Sequence, residues 1–397
     1  MVNASLSVRS PSDYPPLWVT TRTLTILGYK FPRVRRITVV LVTTLAVLVL
    51  LPTARTRAAD ACAPPRCVDA TVPLRPGTYV PDSHVRVVLP EGYGDDACRR
   101  YPVLVLLHGV GDSWRDWTTK SDLVAFTHQF PVIVVTPDGG NTPDAGWYSD
   151  WRDGSRQYER FHIDTLVPWI DATFRTLGDG HRMIAGFSMG GFGAMSYAAR
   201  HPGVFKEAAS FSGIVDTMYA FPASGPFFTA LHERLGTPDE RVWGNQFTDE
   251  AVWREHNPTD RAAALKGTDL FVYSGIGAPT GQQGDNPQKA TNYVTEHFVF
   301  QTNLSFLRAL DAAGVAYKSD FHPGYHDWPY FEAGLHWALP QMMSTIGAPS
   351  SACVVAANAA SAPAPSLPAT GANPDAALAA ALLVVVLVSR RIVRRHA

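Results

Sequence analysis

Six short strand-like runs, most of them apolar and ending at glycine, recur through the middle of this 397-residue chain. Longer amphipathic stretches separate several of them, for example residues 157–177. Continuous apolar runs are typical of strands buried on both faces of a parallel sheet. The alternation predicts an α/β fold, with a mostly parallel central sheet flanked by helices on both faces. The predicted strands are residues 101–109, 131–139, 181–188, 207–213, 269–275 and 317–324.

One serine lies between two glycines where a predicted strand meets a predicted helix. Residues 186–190 read Gly-Phe-Ser-Met-Gly and fit the pattern G-x-S-x-G. In a strand–turn–helix context this pattern predicts a nucleophile elbow, in which a sharp turn exposes the hydroxyl of Ser188. A plain glycine-rich turn is the alternative, but it needs neither the strand before nor the helix after.

A serine nucleophile needs a base and an oxyanion hole. His326 follows the last predicted strand, where the base of such a fold is expected, and His322, nearer the strand end, is its competitor. The backbone N–H groups of Met189 and Val110 are the expected oxyanion donors. His108, beside Val110 in the sequence LLHGVGD, is interpreted as support for that loop.

Five motifs resemble the esterase family that includes esterase D, and most closely its antigen 85 mycolyltransferase branch. The resemblance covers residues 75–345 and implies an α/β-hydrolase fold with a single catalytic domain. It also implies a triad of Ser188, Glu296 and His326. The general rule that the acid follows the strand at 269–275 favours Asp285 instead. The motifs are GFSMGG, WYSDW (147–151), FVYSGIGAPTGQQGDN (271–286), TEHFVFQTNLSF (295–306) and GYHDWPYF (324–331).

The resemblance breaks in the predicted oxyanion loop. His108 and Gly111 stand where the antigen 85 branch has an acidic residue and an arginine that help to hold trehalose, so the loop is more similar to that of plain esterases. The acyl acceptor can be either water or a sugar hydroxyl. Four tryptophans in loops at the predicted active-site end are candidates for sugar stacking, for an acyl pocket or for core packing. They are Trp114, Trp117, Trp151 and Trp328.

The N-terminal region has the composition of an export signal. The basic sequence RVRR (33–36) precedes an apolar run at residues 37–51, and small residues follow. This order predicts that residues 1–60 are a secretory signal with a long basic region, and a retained membrane anchor is the alternative. Between the basic ends the chain is acidic, which argues against a nucleic-acid partner.

The C-terminal region resembles a Gram-positive sorting signal. Residues 367–397 contain LPATG, an apolar run at 377–388 and a basic tail. The resemblance implies that sortase cleaves after Thr370 and joins the chain to peptidoglycan, so the protein is expected to be exported and attached to the cell wall. It would meet the membrane only through its two end segments, and an ordinary single-pass anchor is the alternative. The motif residues are Leu367, Pro368, Ala369, Thr370 and Gly371.

These boundaries leave residues 61–345 as the catalytic domain and residues 346–366 as an Ala/Ser/Pro-rich spacer. Residues 214–266 lie between core strands and are expected to form a lid. Four cysteines in an exported segment predict two disulfides with three possible pairings: Cys62, Cys67, Cys98 and Cys353.

The expected function is that of a serine esterase or acyltransferase that acts on carboxylic esters through an acyl-enzyme and uses no metal or organic cofactor. The alternatives are antigen 85-like acyl transfer to a sugar acceptor and a non-catalytic cell-surface binding protein on the same fold. A catalytic triad in the expected order argues against the binding protein.

Overall fold

Eight strands form one sheet, in the order β1-β2-β4-β3-β5-β6-β7-β8, within the described residues of the computed structural model. The description covers residues 62–140, 145–178, 180–223, 225, 233, 239–280 and 290–350. All of them belong to the unit Ala58–Ala397, whereas a second unit, Met1–Arg57, is outside the description. The predicted export signal, Asp285, Cys353 and the sorting motif also lie outside the described residues.

The sheet is mostly parallel, as the sequence predicts. Strands β3 to β8 pair in parallel, and each falls within one of the six predicted runs. Strands β1 and β2 were not predicted, and they extend the sheet in antiparallel pairing next to β4. The bounds are β1 Cys67–Thr71, β2 His84–Val88, β3 Val103–Leu107, β4 Ile133–Pro137, β5 Arg182–Phe187, β6 Glu207–Phe211, β7 Asp269–Gly275 and β8 Tyr317–His322.

Helices cover both faces of the sheet. Alternate residues of β3 point to different hydrophobic clusters, with Val105 in the cluster that includes Phe192 and Leu106 in the cluster that includes Phe331. Burial on both faces explains the continuous apolar runs in the sequence. The helices are α1 Asp116–Lys120, α2 Leu123–Phe126, α3 Tyr158–Arg160, α4 Val167–Thr173, α5 Met189–Arg200, α6 Asp239–Val242, α7 Glu250–His256, α8 Ala290–Ala313 and α9 Trp328–Thr345. A π-helical segment, Phe161–Leu166, joins α3 to α4, and short 3₁₀ segments cover Thr127–Gln129 and Ala262–Leu265.

The segment expected to be a lid contributes to the core. Trp243 and Trp253, from the described part of residues 214–266, are both fully buried. The ring of Trp243 packs 5.4 Å from that of Phe192 on α5 and 4.9 Å from that of Trp253. These residues therefore form part of the scaffold beside α5, and a lid would have to come from other parts of the segment.

The N-terminal edge of the described chain is closed by a disulfide between Cys62 and Cys67, and Cys98 is also disulfide-bonded. None of the helices in the described ranges combines the length and the apolar character needed to cross a membrane. The two apolar runs near the chain ends, 37–51 and 377–388, are not among the described residues.

Candidate active site

Ser188 occupies a strained turn between β5 and α5. Its backbone has φ 53° and ψ −120°, a conformation that a residue with a side chain rarely adopts. The flanking glycines are required by space: a Cβ on Gly186 would lie 2.5 Å from the carbonyl carbon of Gly190. The Ser188 N–H donates to the carbonyl of Phe211 at the end of β6, at 3.0 Å. The turn is therefore fixed by backbone contacts on both sides.

Ser188, His326 and Glu296 form one hydrogen-bonded chain. The Ser188 hydroxyl lies 2.9 Å from His326 Nε2, and His326 Nδ1 lies 2.6 Å from Glu296 Oε2. Because a carboxylate only accepts hydrogen bonds, Nδ1 carries the proton. Nε2 is then free to accept a hydrogen bond from the serine hydroxyl. Glu296 is fully buried, whereas the His326 side chain is 16% exposed. In this arrangement the partly exposed imidazole of His326 can remove the hydroxyl proton of Ser188.

The local sequence explains how His326 is held. The carboxylate of Asp327 caps α9 by accepting a hydrogen bond from the N–H of Trp328 at 2.9 Å. A proline occupies the first turn of the helix. The helix therefore begins two residues after the histidine. On its other side, the His326 N–H donates to the Asn292 carbonyl of α8 at 3.2 Å. The imidazole is thus placed between the start of α9 and the helix that carries Glu296.

Three groups at strand ends hold Glu296, and the sequence analysis missed them. Oε1 of Glu296 accepts from the Ser212 hydroxyl at 2.6 Å and from the Gly275 N–H at 2.7 Å. The Ser274 hydroxyl lies 3.1 Å from the same oxygen. The carboxylate from α8 therefore sits over the carboxyl ends of β6 and β7, where general fold logic expects the acid.

The competing base, His322, is not placed to act on Ser188. Its ring packs 4.4 Å from that of Tyr273 and 5.8 Å from that of Tyr330. Within the described residues neither ring nitrogen makes a hydrogen bond, and burial lowers the pKa of His322. A partly buried ring between two tyrosines has a packing role.

The expected oxyanion donors come from two segments, the start of α5 and the loop after β3. Met189 is the first residue of α5, so its N–H is one of the helix donors without an intrahelical acceptor. Val110 lies in the loop after β3, which His108 supports. His108 Nε2 accepts the Gly139 N–H at 2.9 Å and its Nδ1 donates to the Gly109 carbonyl at 2.8 Å. With both ring nitrogens engaged, His108 does not serve as a second base.

The four candidate substrate tryptophans differ in exposure. Trp117 and Trp151 are buried, with exposures of 0% and 3%, and leave no face for a ligand. Trp114 is 8% exposed, and the guanidinium of Arg115 covers its ring at 4.3 Å. Trp328 is only partly buried, and it follows His326 by two residues. It is therefore the candidate best placed to touch a substrate.

An ion pair joins the oxyanion loop to the end of α1, close to the start of α9. The carboxylate of Asp112, two residues after Val110, pairs with the ammonium of Lys120. That ammonium lies 5.7 Å from the centre of the Trp328 ring. Burial raises the pKa of Asp112. Sequence reasoning did not single out this pair, because neither residue belongs to a motif.

One group with metal-ligand chemistry occurs among the described residues. Potential donor atoms of Asp122, Glu332 and His336 lie within 4.8 Å of one another. The group contains none of the triad residues. The serine site itself consists of a hydroxyl, an imidazole and a carboxylate in contact, a set that performs acyl transfer without a metal.

Comparisons with known proteins identify the family of the chain. The family model described as "Putative esterase" matches residues 80–342. Esterase Rv1288 of Mycobacterium tuberculosis is 36% identical over 249 residues, which are 61% of this chain and 52% of that protein. The chain thus spans about half the length of this curated relative. Diacylglycerol acyltransferase/mycolyltransferase Ag85B of Mycobacterium leprae is 28% identical over 260 residues, covering 62% of this chain and 76% of the relative.

Solved structures share the fold. MPT51 of Mycobacterium tuberculosis superposes with a TM-score of 0.57 at 20% identity, covering 71% of this chain and 99% of that one. A ferulic acid esterase gives a TM-score of 0.52 at 24% identity, covering 71% of this chain and 98% of that one. At these identities the likeness concerns the fold alone. The predicted α/β-hydrolase fold is confirmed.

Proposed function

Because the chain belongs to this esterase family, we propose that it is a serine esterase or acyltransferase that uses Ser188, His326 and Glu296 on carboxylic esters. The observation that carries the proposal is the unbroken hydrogen-bonded chain from the Ser188 hydroxyl to a buried carboxylate, at 2.9 and 2.6 Å. A protein that only binds a partner has no need of a strained, partly exposed serine aimed at an imidazole. The intact geometry therefore favours catalysis over a purely binding role.

The reaction follows from the positions of the groups. Ser188 Oγ attacks the ester carbonyl carbon while His326 Nε2 takes the hydroxyl proton. The buried carboxylate of Glu296 stabilises the resulting imidazolium. The oxyanion that forms accepts hydrogen bonds from the N–H groups of Val110 and Met189. The protonated His326 then gives its proton to the departing alkoxide. Water or an alcohol enters by the same steps in reverse and releases the acyl group from Ser188.

Acyl transfer to a sugar hydroxyl is the second candidate. The similarity to Ag85 mycolyltransferases favours it. The sequence of the oxyanion loop, with His108 and Gly111, favours simple hydrolysis instead. The partner groups are therefore an ester donor and either water or a sugar alcohol, and Trp328 is the aromatic side chain best placed to contact them.

Ester hydrolysis by the purified protein tests the proposal. The substrates are p-nitrophenyl esters from acetate to palmitate, with and without trehalose or glucose, and Ser188→Ala is the matched control. We expect the parent to turn over at least one ester and the variant to lose that activity. Diversion of the acyl group to the sugar would identify a transferase, and turnover that ignores the sugar a hydrolase. Equal inertness of parent and variant would contradict catalysis by Ser188.

We also propose that the protein is exported by residues 1–60 and attached to peptidoglycan by sortase at Thr370. The support is the order of LPATG, apolar run and basic tail in the sequence. In a sortase-positive host, muramidase should release the parent from the wall with peptidoglycan fragments attached. Thr370→Ala should shift the protein to the membrane fraction. Wall attachment of that variant would contradict sorting at this motif.

A further inference from the structure

Ser212 has a backbone conformation that its residue type disfavours. It follows β6 directly and has φ 48°, in the left-handed region. Such a conformation costs energy and persists only where the surrounding structure imposes it, and strain of this kind often occurs at functional sites.

Contacts on both sides impose the conformation. The Ser212 N–H donates to the carbonyl of Tyr273 on β7 at 2.7 Å. The next carbonyl, that of Gly213, accepts from the Asn303 side chain at 2.9 Å, and Asn303 lies on the same helix as the triad acid. A Cβ on Gly213 would lie 2.8 Å from the carbonyl carbon of Gly191 on α5. The turn after β6 is thus clamped between β7, α8 and the nucleophile helix.

The conformation directs the Ser212 hydroxyl at the acid. Its oxygen is 2.6 Å from Glu296 Oε1, and both residues are buried. Ser274 is a weaker donor, because its single hydroxyl hydrogen has two acceptors within reach, the Gly275 carbonyl at 2.9 Å and Glu296 at 3.1 Å. Ser212 is therefore the principal side-chain donor to Oε1. The backbone N–H of Gly275 is the second strong donor.

We propose that Ser212 is a positioning residue for the triad acid, which its strained backbone turns toward Glu296 so that the other carboxylate oxygen faces His326. This inference rests on the proposed function. With Oε1 held by donors from two strand ends, the carboxyl plane cannot rotate freely, and Oε2 stays in line with His326 Nδ1. The hydroxyl also draws negative charge toward Oε1, which moderates the attraction between the carboxylate and the imidazolium.

Loss of the hydroxyl therefore has two expected consequences. The carboxylate becomes less well oriented, which lowers kcat without affecting substrate binding. Its charge also acts more fully on the imidazole and favours the protonated base. The acid limb of the kcat/KM profile, which reports protonation of the essential base, should move to higher pH.

Two variants separate the hydroxyl from the backbone strain. Ser212→Ala removes the hydroxyl and keeps the strain, whereas Ser212→Gly removes both, because glycine adopts a positive φ without cost. Ser210→Ala is the matched control: Ser210 lies on β6, two residues before Ser212, and its hydroxyl has no hydrogen-bond partner among the described residues. We expect both Ser212 variants to lose about ten- to a hundredfold in kcat, with KM within about twofold. The control should match the parent.

The outcomes distinguish this inference from the proposed function. If the parent is active but the Ser212 variants keep its kcat and pH profile and lose only thermal stability, Ser212 has a structural role and the inference is wrong. If the parent hydrolyses no ester, the proposed function fails first. The downfield proton resonance of His326 Nδ1 then still tests the inference, since it should shift in both Ser212 variants and stay in place in Ser210→Ala. An unchanged resonance in the Ser212 variants would overturn it.

Discussion

The carbonyl oxygen of Leu107 lies only 2.6 Å from the position that a Cβ on Gly190 would occupy. The end of β3 and the start of α5 therefore touch through backbone atoms. This contact sets the spacing between the loop that carries Val110 and the turn that carries Ser188. Glycine at position 190 is needed less for its flexibility than for the absence of a side chain.

We predict that Gly190→Ala lowers kcat for ester hydrolysis by about a hundredfold, since a displacement of roughly 1 Å between reacting groups has an effect of that order. Steady-state kinetics on p-nitrophenyl esters measure it. Gly94→Ala is the control, because a Cβ at Gly94 meets no atom within 4 Å. An unchanged kcat in Gly190→Ala would show that the oxyanion loop tolerates a shift away from α5.

The choice of acid gives a second prediction. Glu296→Gln keeps the shape of the side chain but removes the charge, and its amide no longer fixes the proton on His326 Nδ1. We expect kcat to fall by about 10³–10⁴-fold, as for other triads that lose the acid but keep its geometry. Asp285→Asn, the alternative from general fold logic, should leave kcat within about twofold. The reverse pattern in the same assay would make Asp285 the acid.

Five of the six strands that the sequence predicted are buried on both faces, and the sixth, β8 at the edge of the sheet, is partly exposed. Short continuous apolar runs bounded by glycine, such as residues 103–107, are typical of these strands, and the glycines around Ser188 fix the position of the turn. Strands β1 and β2 were missed because their pattern is mixed: Arg86 interrupts β2, and its burial is compensated by the ion pair with Asp69 at 2.7 Å and by a hydrogen bond to the Thr118 hydroxyl at 2.6 Å. Such a pairing between distant residues leaves no local signal.

The surroundings of the acid could be predicted only in part. Glu296 follows Gly275 by 21 residues and reaches the strand ends from a helix, so local spacing could not select it, and only the family resemblance did. The serine donors did leave a signal. The predicted strands β6 and β7 both end in an aromatic residue followed by Ser-Gly, at Ser212 and Ser274. What the sequence did not reveal is the positive φ at Ser212, which depends on contacts from α5, β7 and α8.

A third prediction separates packing from substrate contact among the tryptophans. Trp117 is fully buried, its indole N–H donates to the Leu107 carbonyl at 3.0 Å, and its ring packs 5.3 Å from that of Trp328. Trp117→Ala should lower the free energy of unfolding by about 3–5 kcal/mol. Trp328→Ala, at a partly exposed position, should cost about 1–2 kcal/mol but raise KM for esters. Urea unfolding and steady-state kinetics on both variants test this, and equal unfolding costs with an unchanged KM would contradict it.

A buried carboxyl at the start of β6 should make the stability of the protein depend on pH. Glu207 Oε1 accepts from the Thr345 hydroxyl at 2.8 Å, whereas Oε2 is buried without a hydrogen bond within the described residues. Burial raises the pKa of Glu207 from 4.5 to about 7. The folded state then holds a proton that the unfolded state has lost between these pH values, so the stability falls as pH rises through this window.

Glu207→Gln removes this titration while keeping the size of the side chain. At pH 8 the variant should be more stable than the parent by on the order of 1–3 kcal/mol, and at pH 4.5 the difference should be small. Thermal unfolding at the two pH values measures it. Glu91→Gln, at an exposed side chain, is the control and should shift Tm little at either pH. If Glu207→Gln changed Tm equally at both pH values, the carboxyl would be ionised in the folded protein throughout this range, and the charge on Glu207 would have to be stabilised by a group other than Thr345.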